Sequence, residues 1–338
     1  MQTTRPMNIC CTVLGLYLLA AAAKLWHNVV AFLDLCGLPV PDPQLFTKVE
    51  IGLTAVSLAG TTLWLVRLLD PPRRGSEEKA RRRVLAADLA AVLAILAGLG
   101  LLVPALHAAA IGMALHSGLV VWLAIVLVAR SGVRPGAFGL PTTWRPRAPR
   151  PVSVLITLTA LGVFVLESWL AAILATLPGP QGGQPPAEGW TELVDSARSA
   201  PIEELVVTAA AIMLLARAGV RPATCVLISV LMRTVPHIYL GWQALAVLPL
   251  GLALAALYLR YRRVMPLIAA HAAWNTIQFA PGWETAAVPL MVLLAFAGVG
   301  TAAALALRQP RSDDRPADTP RTKKKAHGST ASRPQPTP

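Results

Sequence analysis

Apolar residues run along this chain in long blocks, and polar residues gather between the blocks instead of alternating with them. The blocks cover 8–33, 49–66, 84–104, 108–129, 152–176, 202–217, 223–240, 243–259, 264–280 and 286–307. Each approaches the roughly 20 mostly apolar residues that a helix needs to cross a bilayer. Several are rich in Ala, Leu and Val with small residues interspersed, which suits close helix packing in lipid. The pattern predicts an all-α protein, a polytopic transmembrane helix bundle of about ten spans. The first block stays apolar through Val29–Leu33 with no small-residue cleavage site, so it reads as a span and not as a secretory signal.

Composition agrees with that class. The chain has 338 residues, 55% of them hydrophobic and only 14% charged, with a positive mean hydropathy. A formal net charge of +13 would fit a nucleic-acid binder, but its distribution excludes one. Basic residues fill every second connection: Arg67 to Arg83, Arg130 to Arg150, Arg217 with Arg221, Arg260 to Arg263, and the tail from Arg308. With Arg5 these account for all of the 30 Lys and Arg except Lys24, Lys48, Arg198 and Arg233. The alternation is the positive-inside rule, and it predicts cytoplasmic N- and C-termini with a lipid bilayer as partner. High Ala, Arg and Pro usage points to a GC-rich bacterial genome, hence a bacterial plasma membrane. Cys10, Cys11, Cys36 and Cys225 lie in or near the spans and imply free thiols, not a disulfide framework.

The Pro/Arg-rich stretch 131–151 divides the chain. Residues 1–150 form an N-terminal four-span bundle, 151–308 a six-span core, and 309–338 a disordered basic cytoplasmic tail. The connection 178–200 reads as a loop, with a short interfacial helix at Trp190–Ala200. No repeat of the kind that marks many transporters is present.

Ionisable residues inside spans are expensive and mark function by default. Glu50, Asp88, His116 and Glu167 stand alone in their blocks and read as helix-packing or headgroup-level residues, as do His27 and His107 near block ends. A second-half set differs. Glu203 and Glu204 stand side by side at the outer end of span six, His237 lies near the outer end of span seven, and His271 with Asn275 lies in span nine. Counting from a turn near Gly219 puts Glu203 and His237 at similar height, with His271 about 10 Å deeper at 1.5 Å per residue. His271 and Asn275 are i, i+4 and share a helix face, whereas adjacent glutamates point about 100° apart.

These residue types suit amide hydrolysis. A carboxylate serves as general base on water, a histidine holds or shares the proton, and His with Asn stabilises an oxyanion. The alternative role for His237, His271 and Glu204 is to hold a divalent metal such as zinc that activates water. No His-Glu-x-x-His helix accompanies them.

Glu-Glu, a histidine further on, then His-x-x-x-Asn, all in apolar helices, resembles the CPBP intramembrane proteases, which include the type II CAAX prenyl endopeptidases and the bacterial Abi proteins. The resemblance covers about 160–305 and is sharpest from Ala200 to Phe279. The family pattern Glu-Glu-x-x-x-Arg matches at Glu203 and Glu204, Phe-x-x-x-His at His237, and His-x-x-x-Asn at His271 and Asn275. The resemblance implies a helical bundle around a hydrated cavity and cleavage of a membrane-associated peptide or protein by a glutamate-activated water. Two positions depart from it: Thr208 stands where the family arginine falls, and Arg233 where the phenylalanine falls. Arg233 is therefore expected to supply the missing charge from the neighbouring helix. A non-catalytic protein of the same fold, acting in immunity or partner binding, is the alternative. The Leu-Leu-Ala-Ala-Ala-Ala-Lys-Leu run at 18–25 bears a slight resemblance to four-helix DoxX-like proteins, and the N-terminal half reads as a scaffold.

Overall fold

The computed structural model describes residues 6–69, 108–133, 136, 138–140, 151–182 and 198–278, and between 293 and 301 all but 295 and 299. The block 84–104, Asp88, His107, residues 183–197 and the tail 309–338 lie outside the described residues. Helices α1 (Pro6–Leu35), α2 (Pro43–Leu69), α3 (Ala108–Arg130) and α4 (Pro151–Leu174) come first. A helix at Arg198–Arg217, α5, follows. Then come α6 (Pro222–Thr234), α7 (Val247–Tyr261) and α8 (Met265–Gln278). Between α6 and α7 the chain tightens into two 3₁₀ turns, Val235–Leu240 and Trp242–Ala246.

Local chemistry sets several boundaries. Asp42 accepts the backbone N–H groups of Gln44 and Leu45 at 2.9 and 3.3 Å, and Pro43 opens α2 where a missing N–H costs nothing. Pro222 opens α6 in the same way. Gly241 separates the two 3₁₀ turns at φ 61°, where any side chain would run into the Pro180 carbonyl.

Six helices among the described residues are long and apolar enough to cross a membrane: Asn8–Leu35, Pro43–Leu68, Pro151–Leu174, Arg198–Arg217, Pro222–Leu240 and Trp242–Tyr261. The expected all-α membrane bundle is thus observed, whereas the count of ten is not reached. Ala114–Arg130 is a shorter apolar helix, α8 has 14 residues, and the remaining blocks fall wholly or largely outside the described residues.

α5 is the hub. Buried residues make up 72% of its apolar window, against 22% for α1 and 17% for α2. It packs against α1, α3, α6, α7 and α8, which surround it. α4 pairs with α8, and Gly162 of α4 meets Gly298 so closely that a Cβ on either would stand 2.5 Å from the other's Cα. Thr159 and Thr301 share a 2.9 Å hydrogen bond across the same contact. Small residues and hydroxyls at a helix crossing are what packing in lipid favours. α1 lies not only on α2 but also on α5 and the Val235–Leu240 turn, so residues on both sides of the 150/151 division meet around α5.

Candidate active site

The middle of α5 is not a regular α-helix. From Ile202 to Ala210 it widens into a π-helix, and the Ala211 N–H reaches back to Val206 O, five residues earlier. Regular α-helical spacing would set Thr208 beneath Glu204. In the wider coil Thr208 instead falls beneath Glu203 and donates its Oγ1 proton to the Glu203 carbonyl at 3.1 Å. Arg233 Nη2 donates to that same carbonyl at 3.1 Å. Two side chains thus satisfy a backbone oxygen at the place where the coil departs from α geometry. Such widened turns recur at functional sites.

Arg233 rises from α6 between the two carboxylates. Its Nη1 donates to Glu203 Oε2 at 3.1 Å, and its Nη2 lies 2.8 Å from Glu204 Oε1 and 3.0 Å from Thr208 Oγ1. The guanidinium is a planar fork, and here it joins both acids to the Thr208 hydroxyl. Its side chain is 1% exposed, Glu204's 0% and Glu203's 17%. Ser229 Oγ, one helical turn before Arg233, donates to Val207 O at 2.9 Å and fixes α6 against α5.

The remaining residues divide into two layers. Behind Glu204 lies His271, whose Nδ1 is 2.8 Å from Glu204 Oε1 and whose ring rests on Phe164 at 4.8 Å between centroids. The expected gap of about 10 Å between His271 and the glutamates is therefore absent, because a uniform rise per residue does not hold along an irregular, tilted helix. In front of Glu203 is a cavity of about 50 Å³. A water needs about 10–15 Å³ of such space, so there is room for a few. Glu203, His237, Arg233, Lys24, Arg198, Ser199 and Tyr17 line it together with Ala20, Ala21, Ile202, Val207, Met232 and Pro236.

His237 stands at the front, in the 3₁₀ turn, with its Nδ1 held 2.8 Å from the Arg233 carbonyl, which leaves Nε2 as the other ring nitrogen. Asn275 does not face the cavity beside His271. It donates to Ser199 Oγ at 2.9 Å, so it touches the site through Ser199. Glu203, Glu204, Arg233, Thr208 and His271 form one connected network, His237 joins it through a backbone carbonyl, and Asn275 stands at the margin.

A metal held by His237, His271 and Glu204 does not fit this geometry. The Arg233 cation occupies the space between the carboxylates, and one Glu204 oxygen already faces both Arg233 and His271. Among the described residues no group of three or more His, Cys, Asp or Glu is placed to hold an ion. Of the isolated residues, His116 is buried against Ser57 at 2.7 Å and His27 stands 3.6 Å from Glu50, both away from the cavity. Glu167 lies on α4 one turn beyond Phe164, close enough to act electrostatically on the network.

Lys24, Tyr17, Arg198 and Ser199 were not singled out from the sequence. A signal for three of the cations was present, however. Lys24, Arg198 and Arg233 are among the four basic residues that break the charge alternation, and all three line the cavity.

The fold is thus an all-helical membrane bundle whose buried acid–arginine–histidine network lies beside a cavity with room for water. Residues 188–277 match the family model described as Rce1-like, "Type II CAAX prenyl endopeptidase Rce1-like". That segment spans every residue of the network and is similar to a protease family. The match covers less than a third of the chain and lends nothing to the Abi branch or to a metal. No curated protein and no solved structure matches the chain.

Proposed function

We propose that the chain is an intramembrane endopeptidase that hydrolyses a peptide bond of a membrane-associated protein or peptide with a water activated by Glu203. The observation that carries the reading is the placement of Glu203. One of its carboxylate oxygens is held by Arg233, while the residue borders a cavity with room for water and for His237. A carboxylate fixed in this way is preorganised as a general base. Glu204, bound by Arg233 and His271 and fully buried, orients the guanidinium and does not meet the water. His237 stands across the cavity to share the proton. Asn275 supports the site through Ser199. The charge alternation supports cytoplasmic termini in a bacterial plasma membrane, with the cavity toward the outer face.

A second reading rests on the size of the cavity. About 50 Å³ holds water but not a peptide, and the same network stabilises a binding protein of this fold equally well. One experiment separates the two. The full-length protein and its Glu203→Gln variant are reconstituted with membrane proteins of the expression host, and new peptide termini are mapped by mass spectrometry. Termini that appear with the wild type and vanish with the variant support the endopeptidase. Identical termini with both proteins refute it.

A further inference from the structure

We propose that Lys24, carried into the site by α1, is the electrophile of the reaction: its ammonium faces the carbonyl oxygen that becomes an oxyanion when water adds to the scissile bond. The proposal rests on the endopeptidase reading above. It assigns a catalytic residue to a helix that the sequence reading left as scaffold.

Four observations converge on it. Lys24 lies well inside a 28-residue apolar span, Asn8–Leu35, where an ionisable residue is expensive and marks function by default. It lines the cavity with Glu203 and His237, and its charge acts through space on both. Its position is fixed from the same helix. Asn28, one turn further on and 4% exposed, donates its Nδ2 proton to the Pro236 carbonyl, next to His237. Tyr17, Ala20 and Ala21 share that face of α1 and line the cavity as well. Finally, the other donors have different tasks. His271 is bonded to Glu204 behind the network, Asn275 bonds Ser199, and Arg233 holds two carboxylates and Thr208. Arg198 lines the cavity too, from the same helix as Glu203.

The chemistry balances around a lysine that keeps its proton. Glu203 takes a proton from water as the water oxygen bonds to the carbonyl carbon. The carbonyl electron pair moves onto oxygen, and that oxyanion faces the Lys24 ammonium. On collapse the pair returns, the carbon–nitrogen bond breaks, and the proton held by Glu203 passes to the departing amine. Lys24 shares the cavity with Glu203, so its charge stands beside the reacting carbonyl as the oxyanion forms. Electrostatic stabilisation of this kind acts in the transition state and not on bound substrate.

The test uses the full-length protein in liposomes and a fluorogenic peptide built on a cleavage site found by terminus mapping. Lys24→Met is expected to lower kcat by about 10²–10³-fold, as loss of one oxyanion donor does, while KM stays within about three-fold. Lys24→Arg should keep turnover within about ten-fold of wild type. Added ethylamine should return part of the turnover to Lys24→Ala, because the ammonium fits where the side chain was. A Lys24→Met protein that turns over within about three-fold of wild type, or that raises KM alone, overturns the proposal. If Lys24→Met fails to fold, the Lys24→Ala pair decides: amine-dependent recovery supports the role and none overturns it. A wild type that cleaves nothing, or a Glu203→Gln variant with wild-type turnover, refutes the endopeptidase reading itself. An active wild type with inactive Glu203→Gln and unimpaired Lys24→Met refutes only the role of Lys24.

Discussion

Replacing Arg233 by methionine removes a cation from between two acids while roughly keeping its volume. Arg233 gives up four interactions: Glu203 Oε2 at 3.1 Å, Glu204 Oε1 at 2.8 Å, the Glu203 carbonyl at 3.1 Å and Thr208 Oγ1 at 3.0 Å. Glu204, with no exposed side-chain surface, is left with His271 as its charge partner. Breaking a buried pair by deleting one partner costs about 3–5 kcal/mol, because the remaining charge is stranded. At about 2 cal/mol/K of unfolding entropy per residue, a chain of 338 residues shifts by about 1.4 °C per kcal/mol, so the expected fall in Tm is about 4–7 °C. Thermal unfolding of the detergent-purified protein, followed by tryptophan fluorescence, reads this directly. The double variant Arg233→Met with Glu204→Gln removes a stranded charge together with its partner and should regain much of the loss. The reasoning is refuted if Arg233→Met melts within about 2 °C of wild type, or if the double variant is no more stable than the single one.

Two further outcomes follow from the same coordinates. Thr208→Val deprives Arg233 Nη2 of an acceptor and the Glu203 carbonyl of a donor in a place 1% exposed, so it should cost about 1–3 kcal/mol, read as a lower Tm, with Thr208→Ser close to wild type. Gly162→Ala sets a methyl 2.5 Å from Gly298 Cα in backbone-to-backbone contact, and overpacking of this kind should cost about 1–3 kcal/mol in the same assay, whereas Gly118→Ala, with open space around it, should leave Tm unchanged.

The class of fold was legible because lipid imposes one long-wavelength signal, and apolar blocks show it without any knowledge of packing. The number of spans was less legible. Block length cannot separate a full crossing from a shorter helix such as α8, with its 14 residues beside a 3₁₀-broken neighbour. Glu203, Glu204, His237 and His271 stood out because acids and imidazoles are conspicuous in apolar helices. Their division into a front layer and a back layer was hidden, since it depends on the π-helical register from Ile202 to Ala210, which no residue pattern announces. Asn275 was assigned by helical face, yet its bond to Ser199 depends on a residue of α5 that sequence spacing does not bring near it. Lys24 was visible as an exception to the charge alternation. That exception becomes meaningful only once α1 is known to lie on the Val235–Leu240 turn.

The tie between Arg233 and the two glutamates also bears on how the chain enters the bilayer. During synthesis Glu203 precedes Arg233 by 30 residues, with a single tight turn at Ala218–Val220 between their helices. An acid at the centre of a lone inserting helix costs about 2.5–3.5 kcal/mol, and α5 carries two in its N-terminal half. Released into lipid alone, α5 would be a poor transmembrane segment. Entering together with α6, it brings its own counter-ion. α5 and α6 are therefore a unit of insertion, expected to enter the bilayer together.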